Sequence, residues 1–495
     1  MLNKPQLARR DLLKAAGLTG SGILAAGAWA TDRAIADEPT KLPAPKDDGA
    51  GMTKRLAEFV VNTSSSDIPQ AARREAIRSI LNYVGCAVGG SSHVTVERAL
   101  AAFSPFSGPP QASVIGRRQR LDVLQASLIN GISSHVLDYD DTQLATIIHP
   151  AGPVASVLFP LAELRSMSGS EFVQAFVLGV DVECRIGKTV YPSHYEAGWH
   201  ITGTAGVFGA AAAAGKVLGL SVQQMTWALG IAATQAAGFK EMFGTMCKAF
   251  HPGRAAQNGL TAALLASKNF TSSEQAIESK QGFAHVMAPA RDFSAITRGL
   301  GTKYEIVENS YKPFACGIVI HPVIDACRVL REQHKITADM IERIDLRVHP
   351  LVLELTGKQS PQTGLEGKFS VFHAAAVALL RGSASPREFT DEVVRDASVI
   401  SLRTRVRATI DKSLTEEQAH VAIELKDGRR IEKFVEHAVG SSQNPMSNAD
   451  LDRKFRGLAE GILAAEQTER LIELCWSIES LADVGRVPRG AATSS

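Results

Sequence analysis

Apolar residues between positions 53 and 293 recur every three to four residues, the spacing of buried and amphipathic helices. In residues 70–88 the apolar side chains share one face, and Gly89-Gly90 then ends the pattern. The same spacing predicts further helices over 121–137, 154–166, 170–186, 204–218, 221–237 and 254–267. Several of these segments are rich in alanine and glycine, which allow helices to approach closely, so we expect a compact bundle.

The pattern changes after about residue 300. Residues 344–348 alternate and predict a strand, and residues 419–436 predict a β-hairpin that turns at Asp427-Gly428. Helical spacing occurs between them, over 317–333 and 369–382, and returns over 450–480. The predicted fold class is therefore mainly α with an α+β second domain.

These patterns suggest a division into a large all-helical bundle domain and a smaller α+β domain. The helical domain is predicted over 53–297 and is completed by 440–484, whereas the α+β domain covers 298–439. Residues 485–495 are predicted to be a disordered tail.

The first 36 residues have the order of an export signal. Arg9-Arg10 precede a Gly/Ala-rich apolar stretch, which is followed by the small-x-small site Ala34-Ile35-Ala36. The arginine pair indicates a twin-arginine signal, which is an address and not an anchor. We therefore expect a periplasmic or secreted protein, with a Pro-rich linker over 37–52 and no membrane association after cleavage.

Composition narrows the function classes. The net charge is +2, and lysines and arginines form no basic stripe, so no nucleic-acid partner is expected. The six cysteines are far apart with no CxxC pair, which argues against zinc ribbons and thioredoxin chemistry. A twin-arginine substrate folds in the reducing cytoplasm, so these cysteines are expected to be free.

Four polar segments interrupt the helical patterns and could carry chemistry. The first contains Asp138, Asp140, Asp141 and Thr142, followed by His149-Pro150, and the second contains His200 and Thr202 at a helix start. The third contains Lys248 and His251 before a predicted helix, and the fourth contains Lys312 and Cys316. Helix starts and lysines suit anionic ligands, whereas each segment by itself also fits an ordinary solvated loop.

Other catalytic signatures are absent from the sequence. Residues 209–216 lack the glycine spacing and the Ser or Thr of a P-loop, and neither HExxH nor GxSxG occurs. A preformed zinc site is not signalled.

Taken in order, the polar segments resemble the MmgE/PrpD family of carboxylate lyases and epimerases. The resemblance runs from about residue 53 to 480. It also includes Glu183-Cys-Arg-Ile-Gly187, Gly364-Leu-Glu-Gly-Lys-Phe-Ser370, and Asn444-Pro445 with Lys454-Phe455. The family implies a cleft between a helical domain and a lid, a homodimer, and no metal or organic cofactor.

By position, the resemblance implies a set of catalytic and substrate-binding residues. The catalytic set is His149, His200, Asp138, Lys248, Lys312 and His373, the last standing where relatives often have a tyrosine. The substrate-binding set is Thr142, Asp141, His251, Thr202 and Cys316.

The leading hypothesis is a cofactor-independent lyase or isomerase of small polycarboxylic acids, nominally like 2-methylcitrate dehydratase. The lysines hold carboxylates, a histidine oriented by Asp138 moves a proton at the α-carbon, and the cations stabilise the enolate-like charge. Two alternatives remain open at this point. One is a non-catalytic exported carboxylate-binding protein, and the other is a metal-dependent hydrolase that uses His149, His200 and His251.

Overall fold

The computed structural model describes residues 50–493, which all fall within one compact unit. The predicted signal segment, 1–36, and most of the linker lie outside the described residues. The first part of the described chain is helical. Its helices are α1 Met52–Asn62, α2 Gln70–Gly90, α3 Val94–Phe103, α4 Val123–His135, α5 Ala151–Leu164, α6 Gly169–Val190, α7 Ser193–Glu196, α8 Ile201–Val217, α9 Val222–Ala233, α10 Met246–Ser267, α11 Phe283–Met287 and α12 Ser294–Thr297.

Small residues determine how closely the central helices of this bundle pack. Helix α8 is buried from Ile201 to Gly215. A side chain added at Gly259 of α10 would lie closer than 3.0 Å to Ala210 of α8. Close packing at this density leaves no room for an extra methyl group, as the Ala/Gly-rich sequence predicts.

The second part combines helices with one larger sheet. Its helices are α13 His321–His334, α14 Pro350–Thr356, α15 Gly364–Gly367, α16 Val371–Arg381, α17 Asp391–Val394, α18 Ala397–Arg403, α19 Asn448–Ala459, α20 Ala465–Trp476 and α21 Arg486–Gly490. The strands of the described chain are β1 Ala112–Ser113, β2 Arg120–Leu121, β3 Asp141–Gln143, β4 Asn309–Tyr311, β5 Ile341–Val348, β6 Val406–Ile410, β7 Ala419–Leu425 and β8 Arg430–Val435. Short 3-10 helices occupy Ser65–Asp67, Ser104–Phe106, Lys240–Met242, Glu305–Glu308, Ile318–Ile320, Ala338–Met340, Pro386–Phe389 and Ile478–Ser480.

The sheet has the order β6-β5-β7-β8, with β5 and β6 parallel and the other pairs antiparallel. The predicted strand at 344–348 and the predicted hairpin are confirmed. The hairpin turns at Gly428, whose φ of 87° requires the freedom of glycine. The mainly α class with a smaller α+β part is confirmed, whereas the division into two domains stays a prediction.

The C-terminal helices return to the bundle. Phe455 of α19 packs against Gly85 of α2, where an added Cβ would be closer than 3.0 Å to the ring. The expectation of a disordered tail over 485–495 is wrong for its described residues, because Arg486–Gly490 forms α21. Val487 is fully buried in this helix. Its apolar packing orders a segment whose composition is typical of a loop.

A second difference concerns α10, which was expected to begin at residue 254. It begins at Met246, where the Thr245 hydroxyl accepts a hydrogen bond from the Cys247 amide. Pro252 reads as a helix breaker but lies inside the helix. Lys248 and His251 are therefore helical residues with fixed directions and not members of a loop.

Within residues 50–493, no helix combines the length and the apolar character that crossing a membrane requires.

Candidate active site

All four polar segments contribute to one buried cluster. The fourth segment contributes Lys312 only. Strand β3 pairs antiparallel with β4, which places Asp141 opposite Tyr311 and so brings the acidic segment beside Lys312. His135 ends α4, His200 directly precedes α8, and Lys248 and His251 lie in the first two turns of α10. His149 lies in the loop between β3 and α5. The cluster consists of His135, Asp138, Asp140, His149, His200, Lys248, His251 and Lys312, all buried.

Asp138 bridges two lysines at the centre of this cluster. Its Oδ1 atom lies 3.0 Å from Lys248 Nζ and 2.8 Å from Lys312 Nζ. Burial alone would raise the pKa of this carboxyl, but the two ammonium groups outweigh it and hold the pKa well below its usual range. The backbone of Asp138 has a φ of 50°, which is uncommon outside glycine and aims the side chain inward. Asp138 is thus a permanent anion that fixes two cations in place.

Asp140, and not Asp138, is the carboxylate that orients a histidine. Its Oδ2 atom lies 2.7 Å from Nδ1 of His135, and its Oδ1 atom lies 3.7 Å from Nδ1 of His149. The expectation that Asp138 orients the histidine is therefore corrected, because the hydrogen-bonded oxygen of Asp138, Oδ1, contacts the two lysines. The His135 ring, which the sequence analysis did not identify, is held between Asp140 and Lys248, whose Nζ is 2.9 Å from His135 Nε2.

His149 is held with one ring nitrogen toward protein acceptors. Its Nδ1 atom lies 2.8 Å from the Asp141 carbonyl oxygen and 3.2 Å from the Thr142 hydroxyl. The carbonyl accepts only, so the network assigns the proton to Nδ1 and leaves Nε2 as a base. Thr202 accepts a hydrogen bond from the His149 amide at 3.1 Å. Burial lowers the pKa of His149 well below its usual value, so the ring is neutral at neutral pH.

His200 and His251 form a second imidazole pair. Their Nδ1 atoms lie 2.8 Å apart, so one ring donates and the other accepts. Burial, followed by the charge of Lys248, lowers the pKa of His200, and burial lowers that of His251 to about 4. Both rings are therefore neutral at neutral pH and leave the cationic charge of the cluster to the lysines.

Two further buried lysines hold the backbone of the cluster, and they lie in segments that carry the family resemblance but were given no role from the sequence. Lys368 donates to the carbonyls of Leu137 at 2.7 Å and Ala315 at 3.0 Å. Lys454 donates to the carbonyls of Tyr139 at 2.6 Å and Lys312 at 2.8 Å. Burial lowers the pKa of each to about 8. Both tie the acidic segment to the segment around Lys312, so they position the catalytic groups.

Asp141 and Cys316 lie beside the cluster with structural contacts of their own. Asp141 Oδ2 accepts hydrogen bonds from Ser79 at 2.5 Å and Asn309 at 2.7 Å. Burial raises the pKa of Asp141 to about 6. Cys316 is fully buried, and burial raises the pKa of its thiol, which makes it a poor nucleophile. Substrate contact by these two residues stays a prediction.

His373 is not brought into the cluster. It lies on α16 with Nε2 2.9 Å from the Glu388 carbonyl oxygen, and its ring packs edge-on against Phe389. Burial lowers its pKa to about 4. Its expected catalytic position is corrected, because the inward face of α16 directs the ring into this local contact.

Five residues of the cluster line a small cavity of about 30 Å³. They are Asp138, His149, His200, Lys248 and Lys312, and the other lining residues are mainly apolar. Those apolar and small residues are Ile147, Tyr195, Phe243, Gly317, Ile318, Val319, Leu355, Thr356 and Phe369. This arrangement gives a largely dry site with two cations, several neutral bases and one fixed anion.

Three histidines of the cluster are close enough to share a metal ion. One ligand nitrogen from each of His135, His149 and His200 lies within 4.8 Å of the others. The donor set differs from the expected His149, His200 and His251. The Lys248 ammonium already contacts His135 Nε2, and a divalent cation beside two lysines would be repelled, so these residues fit a metal poorly.

The sequence matches the models of two domains of one protein family, in consecutive parts of the chain. The MmgE/PrpD N-terminal domain model matches residues 54–296, and the MmgE/PrpD C-terminal domain model matches residues 314–478. The chain is 26% identical to cis-aconitate decarboxylase of Aspergillus terreus, over 90% of this chain and 96% of that protein. It is 28% identical to the human cis-aconitate decarboxylase, over 87% and 92% respectively. It is 22% identical to 2-methylcitrate dehydratase of Salmonella typhimurium, over 85% and 92%.

Proposed function

Because the chain belongs to the MmgE/PrpD family, we propose that it is a lyase of small polycarboxylic acids that moves a proton at the carbon next to a carboxylate. The observation that carries the proposal is the bridge from Asp138 to Lys248 and Lys312 inside a cavity that also exposes His149 and His200. Two ammonium groups held on one carboxylate are preorganised to bind the carboxylates of a substrate.

The two lysines bind the carboxylates of the substrate and stabilise the negative charge that develops during the reaction. Lys248 is bonded to Asp138 and His135, and Lys312 is bonded to the carboxylate and the carbonyl of Asp138, so one proton remains on each ammonium group for a carboxylate oxygen of the acid. As the reaction proceeds, negative charge moves onto the carboxylate conjugated with the reacting carbon. Cations placed beforehand stabilise that charge without reorganising, which lowers the barrier.

Decarboxylation is the preferred reaction. The bond between the α-carbon and a departing carboxylate breaks, CO₂ leaves, and the electron pair passes into the neighbouring unsaturated acid. A proton then adds to that carbon framework, and Lys248, whose pKa is lowered chiefly by burial, is the donor closest in kind to this task. The decarboxylases among the relatives share 26–28% identity, against 22% for the dehydratases, which favours this reaction.

Dehydration is the second reaction that the site could support. His149 Nε2 removes the α-proton, the carbon–oxygen bond breaks, and the hydroxyl group takes a proton and leaves as water. His149 is neutral and its Nδ1 is committed to the Asp141 carbonyl, so its Nε2 lone pair is free to act.

A substrate panel tests the proposal. Purified protein is incubated with citrate-like, aconitate-like and simple dicarboxylic acids, and each mixture is followed by proton NMR and by CO₂ release. We expect turnover of at least one tricarboxylic acid. Binding without turnover of any acid would instead support the non-catalytic carboxylate-binding protein.

The reaction is further proposed to need no metal or organic cofactor. The histidine group within 4.8 Å favours the competing metal-dependent hydrolase, and the adjacent lysines oppose it. Full activity after chelation and dialysis supports the proposal. Activity that is lost with the metal and restored by zinc or manganese contradicts it.

The twin-arginine sequence and the family resemblance support two further proposals, export and homodimer formation. Cell fractionation is expected to place the mature chain outside the cytoplasm, and light scattering is expected to give twice its mass. A cytoplasmic protein that retains residues 1–36 would contradict export, and a monomeric mass would contradict the dimer.

A further inference from the structure

A larger cavity adjoins the catalytic cavity and shares part of its wall. It measures about 560 Å³, and Ile147, Ile318 and Val319 line both cavities. A space of this size lies within the range that small-molecule sites occupy. The catalytic cavity is much smaller, so a substrate whose polar head lies among the lysines has open space beyond these three side chains.

The wall of the larger cavity is mostly aliphatic. Leu144, Pro322, Ala438 and Val439 line it beside the three shared residues. Burying an apolar group of a ligand against such a surface favours binding. Burying a carboxylate there would not, because its charge would lose water without gaining a partner.

Two buried side chains in this wall, His321 and Ser441, lack a normal hydrogen bond among the described residues. His321 is 1% exposed and lines the cavity, and neither of its ring nitrogens has a partner of good geometry among the described residues. The Cys316 carbonyl offers only a weak interaction, and the Phe314 ring covers one side edge-on. A buried polar group without a partner is costly, and an apolar ligand group supplies none, so His321 does not contribute to the binding of such a group.

The backbone at the boundary of the two cavities is strained. Ile147 has a φ of 60°, which is a genuine outlier for a β-branched residue. Its amide donates to the Gln143 carbonyl oxygen at 2.8 Å, so the tight turn before His149 holds this conformation. Strain of this kind persists where the position of a side chain matters, and here it accompanies a side chain that lines both cavities.

The charged residues that line the larger cavity are all glutamates. Glu308 is exposed, and Glu416 and Glu417 are half-buried. Their charge repels a polyanionic head from this cavity, whereas the lysines attract it into the other. The two cavities therefore fix which end of an elongated acid enters which space.

We propose that the larger cavity binds an apolar substituent of the substrate, several carbons long, so that the preferred substrate is an alkyl-substituted polycarboxylic acid. This assignment rests on the function proposed above, because it assumes that the carboxylate head lies among Lys248, Lys312 and His149.

A homologous series of substrates tests the assignment. The values of kcat/KM are measured for cis-aconitate-type and citrate-type acids that carry hydrogen, methyl, butyl or hexyl. Each methylene that is buried should raise kcat/KM about fourfold until the cavity is filled. Values that stay level or fall with chain length, while the unsubstituted acid is turned over, contradict the cavity assignment and leave the proposed function standing.

Substitutions that fill the cavity make the test specific. Ala145→Trp and Val439→Trp place a large ring in it from exposed lining positions, where folding tolerates a larger side chain. Ala101→Trp, at an exposed position of α3, is the matched control. We expect the ratio of kcat/KM for the hexyl acid to that for the methyl acid to fall at least tenfold in both cavity variants and to stay constant in the control. An unchanged ratio in both contradicts the assignment.

Calorimetry separates the two levels of the proposal. If no acid of the series is turned over, the proposed function fails, and the dissociation constants of the methyl and hexyl acids then decide about the cavity. Tighter binding of the hexyl acid that is lost in Ala145→Trp supports the apolar site, and equal binding overturns it.

Discussion

Asp138 and Asp140 stand two residues apart and have different partners. Asp138 holds the lysines Lys248 and Lys312, whereas Asp140 orients His135 and lies near His149. The left-handed backbone of Asp138 separates the directions of the two side chains. The sequence identified the acidic segment, but only this backbone turn decides which carboxylate serves which base.

The first prediction concerns the proposed base. His149→Ala removes the ring whose Nε2 is free, so kcat is expected to fall about 10²-fold or more. His437→Ala, at a partly exposed ring away from the cluster, is the control and is expected to keep full activity. Steady-state kinetics on the best acid of the panel give both values, and an active His149→Ala enzyme removes the residue from the mechanism.

The second prediction concerns a lysine of the bridge. Lys312→Met removes one of the two cations on Asp138, so kcat/KM is expected to fall about 10²-fold. The pKa of Asp138 is expected to rise, because one of the positive charges that oppose the effect of burial is removed. The acid limb of the pH profile should therefore move to higher pH. Lys280→Met, at an exposed site, should change neither quantity, and an unshifted profile in Lys312→Met would contradict the bridge.

At the scale of elements, close helix contacts determine where the site residues point. Helix α10 carries Lys248 and His251, and its Gly253 packs directly on the backbone of α4, which carries His135 at its end. This contact explains why a helix with an internal proline continues through the site. It also explains why the sequence placed the start of α10 eight residues too late, since Pro252-Gly253 reads locally as a break.

The third prediction tests that contact. In Gly253→Ala the new methyl group would lie closer than 3.0 Å to the Leu128 carbonyl oxygen, so the free energy of unfolding is expected to fall by about 1–3 kcal/mol. Gly457→Ala in α19 meets nothing within 4 Å, and alanine favours helix, so this control should gain about 0.5–1 kcal/mol. Chemical denaturation of both proteins measures the contrast, and equal effects would show that α4 and α10 are not tightly packed.

Local periodicity predicted most elements but not the long-range partners of single residues. Three of the four strands of the larger sheet and the central bundle follow from spacing and turn residues, as the hairpin at Gly428 shows, whereas β6 was not predicted. His135 was missed because it lies in an apolar helix, although Ser133-Ser134-His135 is a polar run beside the acidic segment. His373 was misplaced because its motif position gives no information about which face of α16 turns toward the site.

At the scale of the whole molecule, many ionisable groups are buried, and they couple stability to pH. His194 is one that lies outside the cluster, where it contacts the Met287 carbonyl and the Thr204 hydroxyl. Burial lowers its pKa to about 4, below the value of about 6.5 expected in the unfolded chain. The unfolded chain thus binds more protons between these values, and stability falls as the pH falls through this window.

The fourth prediction isolates this contribution. Between pH 7 and pH 4, His194 is expected to cost the protein about 3 kcal/mol of unfolding free energy, which His194→Gln should not lose. Asp141 and Asp181, whose pKa values burial raises to about 6, act in the opposite direction and are common to both proteins. The difference between the two denaturation series against pH therefore reports His194 alone, and parallel series would contradict its depressed pKa.

The central claim is that the buried cluster transfers a proton at the carbon next to a carboxylate. Proton NMR in D₂O, with the tricarboxylic acids of the panel as substrates, tests it most directly. We predict that the wild-type enzyme places deuterium at the α-carbon of the product and that Lys248→Met, which lacks the proposed proton donor, does so at a rate lower by about 10²-fold or more. Complete absence of turnover and exchange in the wild-type enzyme, or an undiminished rate in Lys248→Met, would contradict the account.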